Sequence, residues 1–242
     1  MPTGHPTPPA SSELDDDLAD ETADEAARRR EQIAALAASA REAGRRAVVT
    51  GRWLADTVVD IAPRLPVRDV DALTAHHDGL VGDDLARSVV RAAGRVSGGF
   101  GAATGGVITA QQMSVAGLLL VPFELAAVTA LVVTTEIKLV AELHHVADRP
   151  LPGGRRQRAE GAIMSWMSGR AAPANEVVAT VRGDVLGGAG RQQLRDTVRA
   201  RFVRNLSALG PLLTGAVAAG YLNRRATLDV GTRVARDLGL RP

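Results

Sequence analysis

The stretch that decides the fold is GRVSGGFGAATGGVITAQQMS, residues 94–114. Small side chains recur in it every four residues, at Gly94, Gly98, Ala102, Gly106, Ala110 and Ser114. A row at i, i+4 forms a ridge on a helix, and a ridge of small side chains lets a second helix backbone approach closely. Glycine costs up to about 1 kcal/mol of helix stability against alanine, so we expect packing to offset that cost and the ridge to be buried.

A second ridge of the same kind lies near the end of the chain. Its members are Gly215, Ala219, Asn223, Thr227, Gly231 and Ala235. The two ridges predict close helix packing. The residues we assign to this packing are Gly94, Gly98, Ala102, Gly106, Gly215, Ala219, Asn223 and Gly231.

The rest of the chain also shows helical periodicity, with no alternating strand pattern. Between the ridges, Pro122 is expected to start a helix that runs to about Ala147. Further helices are expected at about 69–78 (with Asp69 as a possible cap), 83–112, 155–169, 174–186, 191–208 and 211–238. The sequence therefore predicts an all-α bundle of about seven or eight helices.

The N-terminal part has a different composition. Residues 1–21 combine prolines with an acidic run and are expected to be a disordered tail. Residues 22–62 are expected to form one long amphipathic helix or a broken pair, and 63–242 the helical core of the same single domain. The apolar stripe of 22–62 consists of Ile33, Leu36, Ala40, Ala43, Ala47, Leu54, Val58 and Ile61.

Charge is segregated along the chain. The whole sequence has 29 basic and 27 acidic residues, but eight acids and no base lie within 13–25, so the remainder holds 29 bases against 19 acids. No apolar leader follows the N-terminus, so we expect the start of the protein to stay on the cytoplasmic side. The absence of cysteine excludes a disulfide framework, a thiolate metal site and a Cys nucleophile.

No motif predicts catalysis. The phosphate loop, the serine elbow and the zinc-protease pair are missing, and the glycines at 99–105 have no preceding strand. The histidine pairs 76–77 and 144–145 do not place two ligands on one helix face, and Glu142-x-x-His145 is half of a di-iron motif. We therefore expect no enzyme activity, no cofactor and no metal.

Charged residues on the apolar helix need separate interpretations. Glu124 lies among apolar neighbours and is a candidate buried acid, for which a structural hydrogen bond is favoured over acid–base work. Glu136, Lys138 and Glu142 are expected to be solvated flanking residues.

Arg191, Arg195 and Arg199 form a row beside an apolar row of Leu194, Val198, Phe202 and Leu206. Such a helix can lie on anionic lipid, or it can be an ordinary surface helix of a bundle. Nucleic-acid binding is disfavoured, because few aromatic residues are present for base stacking.

Two segments have nearly the length and composition of a membrane span. For 113–135, the gain from eleven strongly apolar residues, about −5 kcal/mol, is nearly cancelled by Glu124 and the polar residues. The segment 206–222 has three glycines and a proline. Either segment can also be the core of a soluble bundle.

The segments GFGAATGGV (99–107), VPFELAAVTALVVTTEIKLVAELHHV (121–146) and LGPLLTGAVAAGYLNRRATLDVGTRVARDL (209–238) resemble the EcsC family and its uncharacterised actinobacterial relatives. His145-Val146-Ala147 stands where that family often has Tyr-Gly. The resemblance covers about 90–240. It implies a helical, membrane-associated protein with a possible link to transport or secretion, and no established reaction.

The sequence thus favours a non-enzymatic, membrane-associated protein on the cytoplasmic side of the cell membrane, with anionic lipid as its partner. The alternative is a soluble cytoplasmic bundle that binds a protein partner, or a second copy of itself, through the stripe of 22–62.

Overall fold

A computed structural model describes residues 23–111, 115–169, 186–208 and 216–242 of the chain. Within these ranges the chain forms nine helices and no strand, which confirms the all-α prediction. They are α1 (Ala23–Ala43), α2 (Arg45–Val49), α3 (Arg52–Ile61), α4 (Val70–His76), α5 (Gly82–Gln111), α6 (Val115–Val146), α7 (Arg155–Ser168), α8 (Gly188–Ala208) and α9 (Ala216–Asp237). The acidic tail, the expected helix at 174–186, Gly215 and the surroundings of Gly106 lie outside the described part.

The backbones of α5 and α9 touch at glycines. A Cβ atom added to Gly101 would lie 2.5 Å from the Ala219 carbonyl oxygen, and one added to Gly220 would lie 3.0 Å from the Gly98 carbonyl oxygen. Asn223 also contacts Gly101 through its side-chain amide. Gly101 and Gly220 lie one position away from the predicted ridges, because the contact uses neighbouring rows of the two helices.

The other ridge residues pack at different levels of the bundle. Ala102 lies against Gly220, and Gly94 lies against the side chain of Leu228. Gly231 packs on Leu139 of α6 as well as on α5. The glycines therefore allow α5 and α9 to pack closely along much of their length, and they also allow α9 to pack on α6.

The apolar helix α6 is the centre of the bundle and contacts each of the other eight described helices. Its residues from Leu125 to His144 are mostly buried. Pro122 lies inside this helix rather than at its start, so the predicted start is wrong. The missing proline N–H costs a helical hydrogen bond, and burial of the apolar residues that follow offsets that loss.

The expected long N-terminal helix is broken into α1, α2 and α3. The breaks are Gly44 and Gly51, whose φ angles of +87° and +74° no side chain adopts easily. Gly51 also lies against the Arg195 carbonyl oxygen of α8, at 2.8 Å from its added Cβ. The stripe residues Ile33, Ala40, Leu54 and Val58 pack into the core of the same chain.

Two loops border the C-terminal half of α6. After α3, a short 3-10 turn, Ala62–Arg64, leads to α4, where the Asp69 side chain accepts a hydrogen bond from Ala72 N at 2.9 Å and caps the helix as expected. The second loop joins α6 to α7 and places Leu151 in the core.

The contact at Gly101 generates a stability prediction. Gly101→Ala should lower the free energy of unfolding by about 1–3 kcal/mol, because the new methyl group would overlap the backbone of α9. Gly188→Ala at the start of α8 is the control, since no atom lies within 4 Å of its added Cβ. Urea denaturation measures both variants. Equal stability of the two would contradict the close approach of α5 and α9.

Candidate functional site

One carboxylate joins four helices in the middle of the bundle. Glu136 of α6 is fully buried, and Arg201 of α8 binds both of its oxygens at 2.6 and 2.7 Å. Trp166 Nε1 of α7 and Thr227 Oγ1 of α9 each donate a further hydrogen bond at 2.8 Å. The two oxygens thus receive four hydrogen bonds, so this carboxylate is a structural anchor with little capacity left for a ligand.

This cluster overturns the prediction that Glu136, Lys138 and Glu142 are solvated. Glu142 is also buried, and it pairs with Lys138 and accepts a hydrogen bond from Arg68 N at 3.3 Å. Sequence reasoning missed Glu136 as an anchor, although residues 132, 133, 139 and 140 around it on the helix are apolar. These four apolar neighbours were the feature of the sequence that could have predicted burial of Glu136.

Glu124 lies near the N-terminal end of α6. The residue as a whole is partly buried, and one of its carboxylate oxygens is shielded from water, so it remains a candidate buried acid. Glu136 lies deeper, in the middle of the bundle, where α7, α8 and α9 meet on α6.

The histidines form no common site. His144 is buried, and its Nδ1 lies 3.0 Å from the Arg149 carbonyl oxygen; burial lowers its pKa below the usual value. His77 contacts the Ser88 hydroxyl at 2.9 Å, and partial burial lowers its pKa too. Among the residues with described positions, no group of three or more His, Asp or Glu is arranged to hold a metal ion.

The arginine row lies on a helix whose apolar side is already occupied. Leu194, Val198 and Phe202 are buried in the protein core. Arg191 and Arg195 line an open groove of about 810 Å³ between α3, α7 and α8, and Arg199 packs beside Gly51. Because Leu194, Val198 and Phe202 are used for folding, the arginine row can bind a membrane through its charge but cannot insert into it.

Four exposed apolar side chains lie on the side of the Glu136 cluster that holds the start of α6. Arg201 meets Glu136 and Asn205 lies 3.4 Å from Thr129, so α8 runs antiparallel to α6. Thr227 meets Glu136 and Gly231 packs on Leu139, so α9 runs parallel to α6, and the end of α8 and the starts of α6 and α9 share this half of the bundle. We call this region the apolar end and define it by Leu119, Val203, Leu206 and Leu222, which are 38–62% exposed.

Only α6 has the length and apolar composition of a span within the described ranges. The segment is Leu119–Val146, whose 18-residue apolar window has a mean hydropathy of 1.7 and is 61% buried inside the protein. A core helix of a soluble protein has the same properties. The second expected segment, 206–222, is interrupted by residues 209–215, which lie outside the described residues.

Comparison with known proteins adds no relative. The chain matches no protein-family model, no curated protein and no solved structure.

The Glu136 cluster generates a second stability prediction. Glu136→Gln should lower the free energy of unfolding by about 3–5 kcal/mol, because Arg201 would keep a largely buried charge without its carboxylate. The control is Glu160→Gln, which also removes a buried carboxylate, but whose partner Arg156 is 66% exposed and can turn to water. A loss for Glu136→Gln no larger than that of the control would contradict the anchoring role.

The buried imidazole of His144 predicts a pH dependence. Because its pKa is lowered in the folded protein, the unfolded chain takes up a proton first as the pH falls below the usual value of 6.5. The free energy of unfolding should therefore decrease from that pH downward, and His144→Gln should reduce this slope. Denaturation at a series of pH values measures it. An unchanged slope in the variant would exclude His144 as the source.

Proposed function

We propose that this protein is a non-enzymatic helical bundle that attaches to a membrane surface by its apolar end. The observation that carries the proposal is the exposure of Leu119, Val203, Leu206 and Leu222 towards the same end. Full burial of one such side chain contributes up to about 1.5–3 kcal/mol, so several of them together supply a substantial driving force for insertion into the interfacial layer.

The residues beside the apolar end suit a lipid interface. Arg204 follows Val203 and is exposed, as is Arg225, three residues after Leu222. The Arg225 guanidinium lies 3.4 Å from the Tyr221 hydroxyl. Tyrosine and arginine combine an apolar stem with a polar tip, so they sit well between the acyl chains and anionic headgroups. Anionic lipid of the cytoplasmic leaflet is therefore the proposed partner.

The similarity to the EcsC family supports the same proposal. It covers the helices that form the apolar end, and it suggests a process linked to transport or secretion. Burial of most of the apolar window of α6 favours attachment to one leaflet over a span, because the charged cluster at Glu136 lies within that helix.

Self-assembly is the second candidate, and the same exposed side chains favour it. The N-terminal stripe proposed for this role packs largely against the chain's own core, with Ile33 and Leu54 buried. The apolar end is instead the surface on which two copies could pair.

The apolar end predicts the result of a liposome flotation assay. The unaltered protein should float with vesicles that contain phosphatidylglycerol and remain bound in high salt. Leu119→Asp with Leu222→Asp should reduce the bound fraction about tenfold or more, because a carboxylate opposes burial in the interfacial layer.

The control is Leu80→Asp with Val81→Asp, since these exposed residues lie before α5, at the opposite end of the bundle. The control should float like the unaltered protein. Release by salt alone would mean that the arginine row binds the membrane, which contradicts this proposal. Sedimentation of all forms separates the second candidate: a dimer that dissociates only in the Leu119 and Leu222 variant, without flotation, would identify self-assembly.

A further inference from the structure

A second feature lies beside the C-terminal half of α6, away from the apolar end. A cavity of about 550 Å³ opens between this half of α6, the start of α7, the turn after α3 and the loop that holds Leu151. This volume falls within the range of ordinary small-molecule sites, about 300–1,000 Å³.

The cavity exists because small residues line two packed helices. Ala141 of α6 and Ala159 and Ala162 of α7 project only methyl groups where larger side chains would fill the space. Pro63 and Pro66 form part of the opposite wall. Because proline has no N–H group to donate, the chain does not continue here as a regular helix.

The ion pair of Glu142 and Lys138 helps to hold one wall of the cavity, the loop of residues 65–69, against α6. Glu142 accepts a hydrogen bond from Arg68 N and pairs with Lys138, whose side chain lines the cavity. Glu142 thereby ties the loop of residues 65–69 to α6. The lysine is kept at the cavity by an interaction that already balances its charge.

Three exposed arginines line the cavity, Arg64 from the turn after α3 and two from α7. Arg155 and Arg158 line the cavity from the first turn of α7, and both are exposed. They are three residues apart, so they lie on one side of the helix. The one acidic residue of the lining is Asp69, whose carboxylate already caps α4.

The rest of the lining is mostly aliphatic. Ile137 and Leu151 continue the apolar surface formed by the three alanines, and the one aromatic ring among the described residues around the cavity is the imidazole of His145. An alkyl chain would be covered by methyl and methylene groups over most of this surface.

We propose that this cavity binds an aliphatic anion, a single alkyl chain that ends in a carboxylate or phosphate. Arg155 and Arg158 hold the anionic head through charge-assisted hydrogen bonds, and Ala141, Ala159 and Ala162 cover the chain. A free amphiphile, and one acyl chain of a membrane phospholipid together with its phosphate, share this chemistry. The site lies away from the apolar end, so the inference does not depend on the proposed function.

Calorimetric titration of the full chain with decanoate, and with decanol as the neutral counterpart, tests the proposal. Decanoate should bind once per chain and more tightly than decanol. Arg155→Glu with Arg158→Glu should weaken decanoate binding about tenfold or more, because two cations at the head become anions. Arg41→Glu with Arg45→Glu changes the charge equally at exposed residues outside the cavity and should leave the affinity unchanged.

Two further variants make the result unambiguous. Ala159→Leu fills the cavity without changing charge and should also weaken binding, while Leu119→Asp with Leu222→Asp should not affect it. Equal affinity for decanoate and decanol, or equal affinity in the two arginine variants, would overturn the proposal. Competition by phosphatidylglycerol vesicles would identify a phospholipid as the source of the anion, and lack of competition would identify a free amphiphile.

Discussion

The fold depends on satisfying one buried carboxylate. Glu136 loses its hydration in the core, and only the donors of Arg201, Trp166 and Thr227 together replace it. Each donor comes from a different helix, so α7, α8 and α9 are held in register on α6. A slide of any of them by one turn would leave a charge or a polar group unpaired, whereas apolar packing alone would tolerate such a shift.

This register gives the bundle two chemically different halves. Towards one end, α6 begins beside the end of α8 and the start of α9, and apolar side chains remain exposed. In the other half, Lys138 and Glu142 hold a loop over a cavity bordered by arginines. The apolar end suits contact with a lipid layer, and the cavity suits a smaller ligand. A single helix, α6, connects the two and passes through the Glu136 cluster between them.

Local sequence patterns predicted much of the fold. The four-residue spacing of small side chains marked the surfaces that bring α5 and α9 together, since such spacing has few other uses in a helix. A broken pair was one alternative for 22–62, but the position of the break at Gly51 was not predicted, because it depends on the close approach of α8, far along the chain. The burial of Glu136 was also not predicted. Its hydrogen-bond partners lie 30, 65 and 91 residues away in sequence, and no local sequence pattern indicates such long-range contacts.

Hydrogen–deuterium exchange with and without phosphatidylglycerol vesicles tests the central claim, attachment by the apolar end, most directly. We expect slower exchange at residues 119–123 and 219–222 when vesicles are present than when they are absent, because lipid excludes water from the backbone there. Residues 191–199, which carry the arginine row, should exchange at the same rate in both states. Slower exchange confined to 191–199, or no change anywhere, would contradict attachment by the apolar end.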